Sequence, residues 1–311
     1  MSTYVVRRLL QSVFVLVGVT FLVYFILFQT GDPTFLSVST DASQQEVERV
    51  RHQLGFDRPW YIQYAEFLSK AVRGDFGTSL RQGVPVTGIV LDRIPATLEL
   101  AITALVISLV VAFPVGILAA TRRNTFMDQT AMLAAVLGQS APTFFVGIML
   151  LFIFGGMLGW FPIGGRGQAG PGDELRHLIL PAVTLATFSM ARNARLIRSS
   201  LLETLGLEYV TVAWAKGLAE PAVILRHALR NALIPVITVI GLDFGALLGG
   251  AIITETVFAW PGVGNLVVKA IGQKDFPVVV GCVTMLAVVF IVINVIVDVI
   301  YGYIDPRIRR A

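Results

Sequence analysis

The sequence predicts an all-α membrane protein with six transmembrane helices and both termini in the cytoplasm. A large external loop follows the first helix, and a cytoplasmic helix pair separates the fourth span from the fifth. Three observations carry this prediction. Of the 311 residues, 55% are hydrophobic and 14% charged, and the mean hydropathy is +0.77, whereas a soluble domain carries about a quarter charged residues. The apolar residues lie in long runs without charge, and the basic residues cluster between alternate runs. This distribution excludes a water-soluble enzyme and a disordered tail protein. Cys282 is the single cysteine, which excludes a disulfide scaffold. A net charge of +4 over the whole chain is weak ground for nucleic-acid binding, and no nucleic acid is expected as a partner.

A bilayer core takes about 20 apolar residues per helix. The uncharged runs 9–31, 100–121 and 276–297 each read as one span. The run 129–165 is too short for two spans and a turn. It reads as one helix from about Gln129 to Leu151, followed by an apolar outer segment. Residues 231–257, interrupted only by Asp243 and Glu255, form another span. The remaining segment, 177–191, offers just 15 uncharged residues, and charge placement decides it. With six spans the cytoplasmic pieces hold Arg7, Arg8, Arg122, Arg123, Arg192, Arg195, Arg198, Lys216, Arg226, Arg230, Arg307, Arg309 and Arg310. That is 13 of the 24 basic residues, and omitting 177–191 would leave six. Basic residues collect on the cytoplasmic side of short loops, so 177–191 is taken to cross.

The N-terminal apolar run is longer than the core of a signal peptide and lacks an Ala-x-Ala site, so it reads as a retained helix. The chain then divides into an N-terminal helix (1–31), an external amphipathic segment (32–98), a five-helix core (99–305) and a cytoplasmic tail (306–311). Within the external segment, Gln44–Leu54 reads as a solvated helix and Trp60–Val72 as a helix lying on the membrane surface.

No residue set points to catalysis. A G-x-x-x-x-G-K-[ST] phosphate loop, H-E-x-x-H and G-x-S-x-G are all missing. His52, His177 and His227 fall in separate segments, and no metal site is expected. Polar residues inside spans are the better pointers to function. Asp243 and Glu255 share one face of the fifth helix, and Asn294 and Asp298 are an i, i+4 pair in the sixth. Glu255 and Asp298 suit helix ends or arginine partners. Asp243 has two readings, a polar cavity wall or a buried partnered charge. Gln139 and Ser140 in the third helix, with Asn294, complete the translocation-path candidates, although close helix packing is an alternative for each.

The cytoplasmic segment 192–234 has its own pattern. Glu208–Lys216 reads as a helix stopped by Gly217, a residue suited to the left-handed position after a helix. Pro221 suits the first turn of a second helix, 221–233, with Ala222, Leu225, Leu229 and Leu233 as its apolar stripe. That stripe needs a cover, either its own membrane domain or a soluble partner.

Ala215-Lys216-Gly217-Leu218, followed by Arg226-His227-Ala228-Leu229-Arg230-Asn231-Ala232-Leu233-Ile234-Pro235, resembles the coupling loop of binding-protein-dependent ABC importer permeases. The branch it resembles is the oligopeptide, dipeptide and nickel one, first permease subunit type. Thr211-Val212-Ala213 stands where the general pattern has Glu-Ala-Ala. Further marks are Gly31-Asp32-Pro33, Gly74-Asp75-Phe76-Gly77-Thr78-Ser79, Glu255-Thr256-Val257-Phe258-Ala259-Trp260-Pro261-Gly262 and Asp305-Pro306-Arg307-Ile308-Arg309.

The resemblance implies a subunit without a nucleotide site of its own, in a bacterial or archaeal cytoplasmic membrane. The implied partners are a homologous second permease, two cytoplasmic ATPase subunits carrying ATP and magnesium, an extracytoplasmic solute-binding protein and the lipid bilayer. Ala213, Gly217, His227, Leu229 and Asn231 are the implied coupling residues, with Gly217 as hinge and the others making contact. The implied cargo is peptide, with nickel complexes or glutathione-like substrates as alternatives. An ion-coupled secondary transporter is the rival from another class, for which no repeated halves with broken helices are found.

Overall fold

The computed structural model describes residues 2–29, 34 and 43–304, with the side chains of 2–9, 54 and 298–304 left aside. The Gly31-Asp32-Pro33 mark, the Asp305–Arg309 mark and the tail 306–311 lie outside the described residues, as does the side chain of Asp298. The described residues are helical throughout, with one isolated bridge between Thr78 and Pro85. They group into two compact units, 1–97 with 261–295, and 98–260 with 296–311.

The first unit begins with α1 (Ser2–Gln29). Next comes α2 (Gln44–Leu54), opened by Ser43, whose Oγ accepts the Glu46 N–H, and closed by Gly55 at φ +73. That cap pair sets both ends of α2 where the sequence predicts them. Helix α3 (Trp60–Ala71) rests on α1 through ring edges and several polar links. Phe21 meets Trp60 with ring centroids 5.7 Å apart, and the Tyr64 hydroxyl donates to the Val17 carbonyl at 2.9 Å. The core of this unit joins Val86 and Val90 of α4 (Val86–Leu91), Val263 and Val267 of α12 (Val263–Gly272), and Val278 and Cys282 of α13 (Phe276–Ile304). A Cβ on Gly281 would meet the Val86 side chain at 2.4 Å, so the glycine permits the contact between α13 and α4. Buried Asp275 fastens the 79–81 turn, accepting the Ser79 hydroxyl and the N–H groups of Leu80 and Arg81. Helix α12 and most of α13 share a core with the N-terminal residues.

The second unit is built around α8 (Pro171–Leu205), 35 residues long. Helices α5 (Ile94–Thr121), α6 (Phe126–Ser140), α7 (Thr143–Leu150) and α11 (Leu229–Val257) belong with it. Ala112 of α5, Ala194 and Ile197 of α8 and Val236 of α11 form one core cluster. A Cβ on Gly116 would come within 2.8 Å of the Ala194 carbonyl, so α5 crosses α8 almost backbone to backbone.

One expectation is corrected here. The single helix from Gln129 to Leu151 is broken, because α6 and α7 meet at 106°. Pro142 has no N–H to continue the ladder, and Ala141 before it is extended at φ −74, ψ 130, as a residue preceding proline prefers. Helix α7 then runs on as a π-helical stretch, Leu151–Met157. Residues 192–205 of the expected coupling loop are also helical, since α8 continues unbroken to Leu205.

Among the described residues, four helices could cross a membrane by length and composition, or five if the bent α6–α7 pair counts as one. Helix α8 falls outside that number because charged residues at both its ends leave only the uncharged middle, 177–191.

Candidate coupling and translocation sites

Helix α8 ends at Leu205, and α9 (Glu208–Ala215) turns back beneath it. The turn after α9 needs a backbone that most residues avoid. Gly217 sits at φ +74 and donates its N–H to the Trp214 carbonyl at 2.9 Å. A Cβ there would meet nothing within 4 Å, so the demand is for conformation and not for space. The chain re-enters helix at α10 (Glu220–Ala222), with Pro221 in its first turn.

The expected second helix, 221–233, is not a separate element. Helix α10 passes through a π-helical stretch, Val223–Ala228, directly into α11. The wider turn shifts the phase of the face. Val223, Ile224, Ala228 and Ala232 are buried with Val210, Ala213 and Leu201, while Leu225 of the expected stripe is 59% exposed.

The five coupling candidates separate accordingly. Ala213 is buried and packs with Val210 and Val223. Asn231 donates from Nδ2 to the Tyr209 hydroxyl at 2.8 Å, and that hydroxyl reaches the His227 carbonyl at 3.4 Å. Asn231 and His227 thus tie α9 to the start of α11. Leu229 is half-buried, and Gly217 makes the turn. The exposed face belongs to residues the sequence reading passed over, namely Val212, Trp214 and Leu218, together with Leu225. The available signal was Trp214, a large aromatic beside a lysine on a short helix.

The translocation-path candidates fall in both units. Asp243 is 1% exposed on α11. It forms an ion pair with Arg192 of α8 and accepts from Asn193 Nδ2 at 2.8 Å. Of its two readings, the structure gives the buried, partnered one. Gln139 of α6 accepts from Arg195. One turn further along α8, Arg198 grips Asp128 with two bonds, Nε to Oδ1 at 2.6 Å and Nη2 to Oδ2 at 2.8 Å. Such paired geometry suits the planar guanidinium. Three arginines of the cytoplasmic tally are therefore internal struts that tie α8 to α6 and α11.

Ser140 is exposed at the end of α6, and Asn294 is half-buried in α13 of the first unit. Glu255 is fully buried at the end of α11. Its carbonyl accepts the Trp260 N–H at 2.8 Å. Among the described residues no group of three His, Cys, Asp or Glu could hold a metal ion.

Known proteins supply the frame for these features. The dipeptide transport system permease protein DppB of Alkalihalophilus pseudofirmus is 38% identical, covering 99% of this chain and 100% of that protein. The oligopeptide transport system permease protein AppB of Bacillus subtilis is also 38% identical over the same shares. The glutathione transport system permease protein GsiC of Escherichia coli is 42% identical, with 99% of each covered. These relatives do not favour an ion-coupled secondary transporter.

Among solved structures, an inward-facing MetNI methionine ABC transporter chain matches with a TM-score of 0.58 at 17% identity, over 70% of this chain and 96% of that one. That likeness concerns the fold. A family model described as the N-terminal part of a binding-protein-dependent transport system membrane component matches residues 1–101. The model for the inner membrane component of the same systems matches residues 112–310, and the chain belongs to this family of binding-protein-dependent transport system inner membrane components.

Proposed function

We propose that this chain is one of two permease subunits of an ATP-driven importer in a bacterial cytoplasmic membrane, and that its cargo is short peptides. A homologous permease would complete the pathway, a solute-binding protein would deliver cargo from outside, and two ATPase subunits holding ATP and magnesium would drive the cycle. The chain itself performs no catalysis in this reading. Relatives named for dipeptide, oligopeptide and glutathione transport support the substrate class, glutathione being itself a short peptide.

The observation that carries the coupling role is the set of exposed apolar side chains on α9 and on the chain between it and α11. Val212, Trp214, Leu218 and Leu225 are exposed on a segment whose Val210, Ala213, Val223 and Ala228 are packed into the second unit. An apolar patch of this kind marks a protein contact. When the ATPases close, a push on this face would reach α11 without a joint, because α10 is continuous with it, and would bias the two access states.

The proposed topology has six crossings with both ends inside. Helix α8 is about 50 Å long at the usual rise, longer than the bilayer core of about 30 Å. It can therefore cross with its uncharged middle in lipid and both charged ends outside. A reporter fused after Arg310 is expected to behave as cytoplasmic and one inserted at Ser43 as external; an external signal at Arg310 would remove the six-span topology.

Gly217→Val tests the coupling role. A β-branched residue at φ +74 is strained by about 1–3 kcal/mol, so the variant should insert normally yet lose bound ATPase or hydrolyse ATP without uptake. Unchanged hydrolysis together with unchanged uptake would end the coupling reading.

A further inference from the structure

Two clefts open side by side in the first unit, and nothing in the transport reading uses them. The larger, about 500 Å³, has apolar walls from Leu27 and Phe28 of α1, Phe67 of α3 and Phe276 of α13, and a polar side that includes Tyr24, Arg51, Gln63 and Lys70. The smaller, about 330 Å³, is lined by Val23, Ile26, Leu27, Phe276 and Val279, and Lys274 is its one charged residue. Both volumes fall in the usual range for small-ligand sites, about 300–1,000 Å³. Leu27 and Phe276 line both, so the clefts are the two sides of one apolar partition.

Charge and surroundings narrow the occupant. The acidic groups of the larger cleft are already engaged. Glu66 pairs with Arg58, and Asp75 accepts the Gly77 N–H at 2.9 Å. Lys70 and Lys274 form no ion pair among the described residues, and both are exposed. The partition also opens toward lipid. The apolar stretch Leu10–Gln29 of α1 is only 6% buried, and Leu22 and Ile26 beside Leu27 are exposed. A peptide in the smaller cleft would press its N–H and C=O groups against Val23, Leu27, Phe276 and Val279, which offer no hydrogen bonds, at a heavy desolvation cost. A molecule with two hydrocarbon tails and one compact negative head has no such cost.

We infer that the paired clefts bind a diacyl phospholipid with an anionic head group, one chain on each side of the Leu27–Phe276 partition and the phosphate facing Lys70 and Lys274. The site requires that α1 cross the membrane and does not depend on the cargo or on the coupling face. Each lysine near an anionic lipid surface contributes about a fivefold preference, so the pair should favour anionic over zwitterionic lipid by about 25-fold.

The test uses the assembled transporter purified from membranes, with phosphatidylglycerol and phosphatidylcholine as probes. Native mass spectrometry counts retained lipid, and thermal unfolding reports the accompanying stabilisation. The variant is the double substitution Lys70→Gln, Lys274→Gln. Both lysines are exposed, and glutamine, being unbranched at Cβ, adds no branching at the positive φ of residue 274. The wild type should retain phosphatidylglycerol about 25-fold better than phosphatidylcholine. The double variant should lose that preference while keeping its phosphatidylcholine retention and its melting temperature in phosphatidylcholine. Equal retention of the two lipids by the wild type would overturn the inference, as would an undiminished preference in the double variant. Displacement of bound phosphatidylglycerol by a labelled tripeptide would also overturn it and make the clefts a cargo site.

Discussion

Helix α8 and the α9–α10 element invert the usual distribution of residues in opposite ways. The first buries the partners of its arginines inside a membrane domain, and the second exposes a tryptophan and three aliphatic side chains to water. Each inversion needs a partner, and the partners differ in kind. Arg192, Arg195 and Arg198 find theirs within the chain, in Asp243, Gln139 and Asp128. Val212, Trp214, Leu218 and Leu225 find none within the chain. Misplaced polarity satisfied internally is a matter of architecture. Misplaced apolarity left open is a matter of assembly.

The largest effect should come from breaking an internal pair. Arg192→Leu would leave Asp243 charged and 1% exposed, and uncovering one member of a buried pair costs about 3–5 kcal/mol. Thermal unfolding should register a severe loss, largely recovered in the double variant Arg192→Leu, Asp243→Leu. If the double variant were no better than the single, the pair would be serving something other than mutual neutralisation.

The next effect should sharpen the contrast by leaving the fold alone. Trp214→Glu changes an exposed position, so the stability of the isolated chain should shift by no more than about 0.5 kcal/mol. A central tryptophan in an interface is often worth about 2 kcal/mol or more, so ATPase co-purification should fall by at least tenfold. Full recovery of the ATPase subunits would leave the exposed face without its assigned role.

The smallest effect lies at the border of the two regions. Tyr209→Phe removes the hydroxyl that receives Asn231 and reaches the His227 carbonyl. One such bond is worth about 0.5–1.5 kcal/mol. A small drop in melting temperature should accompany looser coupling, read as more hydrolysis per molecule imported; tight coupling in this variant would confine the Tyr209 bond to stability alone.

Legibility followed the range of the signal. Helix α2 was readable to the residue because Ser43 and Gly55 are local caps. The turn at Gly217 was readable for the same reason. Helix α8 runs well past the expected span 177–191, and the acidic partners of its arginines, Asp128 and Asp243, stand on α6 and α11. No local signal separates a free arginine from one with a partner 50 or 70 residues away. The break at Pro142 was written in the sequence, but the length of the uncharged run outweighed it. The π-helical stretch left no mark at all, and with it went the identity of the buried face, Val223 and Ile224 in place of Leu225.

That stretch has a consequence for how such a subunit can be retuned. A π turn is an α-helix carrying one residue more than its hydrogen-bond ladder needs. One residue corresponds to about 100° of azimuth. Deleting any single position between Val223 and Ala228 would restore an ordinary ladder and swing α9 and its tryptophan by that angle around the axis of α11. The compass bearing of the contact face relative to the membrane domain is thus set by one inserted residue. Neither the face nor the span need change its own side chains for the two to be re-aimed.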